Sequence, residues 1–100
     1  MTAYRVAPHV AWVEGQDGGS EENVAWVSHL PSGRQFELTD TGWLIWVLVA
    51  DGFGEAISLR TELARVHADA GHDDPDALPD VPALVAFLED LERDGLLLRS

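Results

Sequence analysis

Chemistry needs nucleophiles, bases and ligands at workable spacing, and this chain of 100 residues offers few. His67, His72, Asp73 and Asp74 come nearest to a metal set. Two histidines sharing a helical face stand four apart. These stand five apart, and Gly71 between them stops the helix. They read as a solvated helix end running into an acidic loop, which lacks the Asp-x-Asp-x-Asp-Gly pattern of a calcium hand. Ser20, Ser32 and Ser58 fall in turns or at a helix start, where capping explains them, and no Gly-x-Ser-x-Gly elbow occurs. Gly15, Gly18 and Gly19 lack the Lys and Ser partners of a phosphate loop. There is no cysteine and no lysine. Disulfides, thiolate nucleophiles, cysteine–zinc sites and Schiff-base chemistry are therefore excluded. The expectation is a protein that is not an enzyme and uses no metal and no cofactor.

The charge balance narrows the partners. Eighteen acids face six bases, giving −12, and every base is an arginine: Arg5, Arg34, Arg60, Arg65, Arg93 and Arg99. Phosphate contacts supply most nonspecific nucleic-acid affinity, so no nucleic-acid partner is expected. Met1 to Arg5 has no long apolar run behind its single positive side chain, so it does not read as a secretory signal. No apolar stretch approaches the ~20 residues that span a membrane. The expected protein is cytoplasmic, off the membrane, monomeric and a single domain over 1–100.

The elements follow from the pattern. His9–Val13 and Val24–His29 are β-rich and both contain Val-Ala-Trp-Val. Glu14 to Asn23 between them reads as a hairpin loop, and antiparallel pairing could bring Trp12 and Trp26 together on one face. Pro31-Ser32-Gly33 is a turn, and Arg34 to Leu38 is a short third strand. A first helix is expected over Asp40–Ala50, with Thr39 or Asp40 as cap and Gly52 as a left-handed stop. It is apolar on nearly every side, so it should be buried on nearly every side. Trp12, Trp26, Trp43 and Trp46 fit core packing between hairpin and helix better than a platform for stacking bases. A second helix is expected over Glu55–Ala70, with Leu59, Leu63 and Val66 inward. After an acidic loop at 72–79, Asp80 caps a third helix with Pro82 in its first turn, and Gly95 ends it before an extended tail, Leu96 to Arg99. The predicted class is α+β and winged-helix-like: a three-stranded antiparallel sheet followed by a three-helix bundle.

Val81, Leu84, Val85, Phe87, Leu88 and Leu91 span about 160° of the third helix, whereas one core-facing stripe needs only ~100°. Either one flank is left free or the helix is wedged between two elements of its own fold. If free, the flank carries Val85 and Leu88, with Phe87 and Leu91 in the core. In a meander the third strand is an edge with unpaired backbone groups on one side. An edge strand beside an apolar helix flank makes a groove suited to an extended peptide.

The strand ending at Leu38, the turn Thr39-Asp40-Thr41-Gly42, then Ile45-Trp46-Val47-Leu48 and the Asp51-Gly52 stop resemble the PqqD-like family, the RiPP recognition elements. Val81, Leu84, Phe87, Leu88, Leu91 and Gly95-Leu96-Leu97 resemble that family's last helix and its close. The two matches cover 34–52 and 80–97. The resemblance implies a protein that binds the leader segment of a ribosomally made precursor peptide and does no chemistry itself. The leader would add as a fourth strand to Arg34, Gln35, Phe36, Glu37 and Leu38, with its side chains against Val81, Leu84, Val85 and Leu88. A chain of this size most resembles the stand-alone leader-binding protein of lasso-peptide biosynthesis, which delivers the precursor to a leader peptidase and a macrocyclase. The partner of a radical-SAM peptide maturase is the alternative. A winged-helix DNA-binding regulator is the rival class. It would need a basic recognition helix, and the second and third helices do not gather arginine on one face.

Overall fold

A computed structural model describes residues 3–14, 24–69, 71 and 78–99. His72, Asp73, Asp74, Ser20 and the three glycines of the predicted hairpin loop lie outside the described residues. The class is α+β, as expected: an antiparallel sheet followed by three helices. Strands β1 (Tyr4–Val6), β2 (Val10–Glu14), β3 (Val24–His29) and β4 (Arg34–Thr39) precede α1 (Thr41–Ala50), α2 (Ala56–Asp69) and α3 (Val81–Arg93), and β5 (Leu97–Arg99) follows. The main sheet has the order β2-β3-β4, so the predicted third strand is β4 and forms one edge. The sequence reading lacked β1. It pairs antiparallel with β5, Tyr4 opposite Arg99 and Val6 opposite Leu97, in a separate two-stranded sheet.

The register decides which side chains meet. Trp12, Val27 and Phe36 lie in one row across the sheet, and Val13, Trp26 and Glu37 in the next. Successive residues of a strand point to opposite faces. Trp12 therefore faces the core and Trp26 faces solvent, so the two tryptophans do not share a face. Trp12 instead meets Trp46 of α1 edge-to-face, with ring centroids 5.9 Å apart. Their shared Val-Ala-Trp-Val motif is offset by one position from the register that would align them.

Helix α1 is wrapped as its composition demands. Ile45, Trp46, Leu48 and Val49 are buried, Trp43, Leu44 and Val47 are partly so, and the helix touches β1, β3, β4 and α2. The indole N–H groups of Trp43 and Trp46 have no hydrogen-bond partner among the described residues. The start of α1 departs from expectation. Asp40 sits at φ 53, a conformation a side chain rarely adopts, and makes no side-chain cap. Its backbone has turned sharply out of β4, which leaves the carboxylate without the geometry to reach the free N–H groups. Gly52 takes the positive φ expected of a stop, and Phe53 N–H closes the turn onto Leu48 O at 2.9 Å.

Leu59 and Leu63 bury the inner stripe of α2. Asp80 caps α3 as expected, its Oδ1 accepting from Ala83 N at 3.0 Å. Leu84, Leu88 and Leu91 form the buried stripe of α3, which packs on α2 and β5. Gly95 at φ +82 reverses the chain, and Leu96 N–H bonds Leu91 O at 3.0 Å. The returning strand then closes the core against Tyr4 and Ala7, with Ala7 N–H bonding Leu96 O at 3.0 Å.

Candidate functional site

Among the described residues no strand pairs with the outer side of β4, and the hydrogen-bond pattern shows which residues point there. Leu30 N–H bonds His9 O at 3.2 Å, one step beyond the Val10–His29 pair. In an antiparallel ladder hydrogen-bonded and non-bonded pairs alternate. Ser28 and Trp26 therefore direct their backbone groups to β2, and His29, Val27 and Ala25 direct theirs to β4. Their partners Arg34, Phe36 and Leu38 face inward. The N–H and C=O groups of Gln35, Glu37 and Thr39 point outward from the edge. They are spaced to receive alternate residues of an added antiparallel or parallel strand.

Beyond the end of β4 lies an apolar cleft of about 450 Å³ lined by Thr41, Gly42, Ile45, Leu78, Pro79, Ala83, Leu84 and Phe87. Gly42 is the joint. A methyl group placed on it would stand 3.6 Å from Phe87 Cζ and 4.0 Å from Leu38 Cβ. The end of β4, the first turn of α1 and the middle of α3 thus converge within van der Waals reach. The cleft is therefore adjacent to the last residues of β4.

The predicted site residues divide. Arg34, Gln35 and Glu37 are exposed, and Phe36 and Leu38 are half-buried. The Arg34 guanidinium lies over the Phe36 ring, 5.0 Å from its centroid. Leu84 lines the cleft at its floor. Leu88 is a correction: it is 0% exposed and belongs to the core, not to a free flank. Phe87, expected in the core, is half-buried and forms a wall of the cleft. Val81 and Val85 are half-buried on the opposite flank of α3 and do not line the cleft. The buried stripe is centred on Leu84, Leu88 and Leu91, which rotates the open edge toward Ala83 and Phe87. Thr41, Gly42, Ile45, Leu78 and Pro79 are cleft residues that the sequence reading missed. Only Leu78-Pro79, an apolar pair ending an acidic loop, carried a visible signal.

The site is electrostatically mild. Arg34 and Glu37 are the charged side chains of β4, and none of the cleft-lining residues is charged. Among the described residues no group of three histidines and carboxylates is placed to hold a metal ion, and no helix is long and apolar enough to cross a membrane. No protein-family model, curated protein or solved structure matches the chain.

Proposed function

We propose that this protein is a peptide-binding adaptor that takes the leader segment of a ribosomally made precursor as a strand on β4. The observation that carries the reading is an edge strand, β4, whose last residues at Leu38 stand beside Gly42 and Phe87 of the apolar cleft. Backbone pairing supplies affinity that is largely independent of side chains. The cleft supplies selection for an apolar residue at one position. The adaptor does no chemistry on the peptide. It holds the precursor for a leader peptidase and a macrocyclase of lasso-peptide type, with a radical-SAM maturase as the alternative client. The family resemblance of residues 34–52 and 80–97 supports this assignment of partner.

The test is titration of a fluorescently labelled leader from the precursor gene neighbouring this one. Gln35 points its N–H outward, so Gln35→Pro removes a bond to the peptide and none to β3. That variant should stay folded and bind about tenfold more weakly, the loss of one backbone bond plus the steric block of the ring. Phe36→Pro removes a ladder bond instead and should lower the melting temperature. A folded Gln35→Pro protein that binds the leader at full strength places the peptide elsewhere. A leader that does not bind even the unaltered protein at high micromolar concentration ends the adaptor reading.

A further inference from the structure

The outer face of the main sheet lies apart from the apolar cleft at α3, yet it is built unlike a solvated surface. Val13, Trp26 and Glu37 form one row across β2, β3 and β4, directly opposite one another. Ala11, Ser28 and Gln35 form the neighbouring row. Val13 is 55% exposed and Trp26 43% exposed. Side chains of β-strands that face water are ordinarily polar. An indole in the middle strand of a sheet that is 43% exposed leaves apolar area uncovered. A shallow cleft of about 320 Å³ runs beside it, lined by Trp26, Val27, Ser28, Gln35, Phe36 and Glu37.

We infer that this face is a docking surface for a protein partner that presents an arginine or lysine among apolar side chains. Three observations fix that chemistry. An indole face attracts a cation within about 6 Å of its centroid, more strongly than the other aromatic rings do. The residue directly across the strand is a carboxylate, Glu37, so a cation over Trp26 meets both an aromatic face and a counter-charge. Both rows lack a basic residue. Arg34, the base of β4, is turned onto Phe36 and stands in the row with Val10 and His29. A second copy of this chain is the wrong occupant. It would set Glu37 against another acidic face on a molecule of net charge −12. The surface is independent of the leader reading. It adjoins the open edge of β4, so a partner seated here would stand beside a peptide strand held there.

The probe is a capped five-residue peptide alternating leucine and arginine, with a leucine–glutamate counterpart as control. The readout is the indole N–H resonances of the four tryptophans in the 15N-labelled full chain. The leucine–arginine peptide should shift the Trp26 indole saturably, leave Trp46 unmoved, and bind more weakly as salt is raised. Glu37→Gln is a surface change and should keep the melting temperature, whereas Trp26→Ala removes a half-covered ring from the central strand, so its fold is checked by circular dichroism. Each should reduce the affinity, Trp26→Ala by about tenfold. Phe87→Ala, in the separate cleft beside α3, should leave this binding intact while weakening the leader, which separates failure here from failure of the adaptor reading. A Trp26 resonance that ignores the cationic peptide overturns the proposal. So does an equal response to the leucine–glutamate peptide, or a shift on dilution of the protein alone, which marks self-association.

Discussion

Phe87 and Leu88 are neighbours in sequence and opposites in role. Leu88 has no exposed surface and touches the core on all sides, so Leu88→Ala leaves a cavity. It should cost about 2–5 kcal/mol in urea unfolding. Phe87 is half-buried against Gly42 and the mouth of the cleft. Phe87→Ala should cost clearly less stability and weaken leader binding by about tenfold, the loss of an aromatic wall from an apolar subsite. Equal stability losses with unchanged binding would show that the cleft is core and not a peptide site. A helical wheel could not separate the two residues. It places both within a 160° stripe, and only the packing of α3 on α2 and β5 determines where the buried centre falls.

Elements whose cause is local were legible, and those whose cause is distant were not. Asp80 beside Pro82, Gly52 after an apolar helix and Gly95 before Leu96 are signals read within a few residues, and each element starts or stops there. The facing of Trp12 and Trp26 depends on register, and a shift of one position exchanges the faces. Strand β1 has three residues, and its partner lies at the other end of the chain. The outer face of α2 is an element whose contribution depends on pH. Arg65 donates from Nε to Glu62 at 2.9 Å and from Nη1 to Asp69 at 2.8 Å. The hydrogen bond from Arg65, aided by its charge, holds the Glu62 carboxyl below its ordinary value of 4.5. A depressed carboxyl stabilises the fold above its unfolded value, and that contribution is lost as pH falls through the lowered one. Glu62→Gln should therefore melt slightly below the parent protein at pH 7. The gap should close in acid below the carboxylate range and shrink in high salt, as melting curves at a series of pH values would record.

At the scale of the whole molecule, charge sets the company this protein keeps. Arg65, Arg93 and Arg99 are each engaged by carboxylates of their own or a neighbouring element, and the net charge is −12. A gel shift with random duplex DNA or RNA at low salt, the condition most favourable to weak electrostatic binding, should show no complex at low micromolar protein. A clear shift would restore the winged-helix regulator. The α+β architecture itself does not discriminate between the two readings, since fold alone does not assign function.

The pairing of β1 with β5 has a consequence for the order of events in folding. Tyr4 and Arg99 meet across 95 positions, so their contact closes nearly the entire chain and carries its largest loop entropy. The hairpins and helices are short-range and can assemble before that loop is closed. The Arg99 guanidinium stands 5.3 Å from the Tyr4 ring centroid and bonds Glu92 of α3 at 2.9 Å, fastening the last strand to both its neighbours. If that fastening forms after the rate-limiting step, its removal acts on one arm of the chevron alone. Arg99→Ala should accelerate unfolding and leave the folding rate as it was, which stopped-flow measurement in urea will show. The two-stranded sheet would then be a latch on kinetic lifetime, set last and released first.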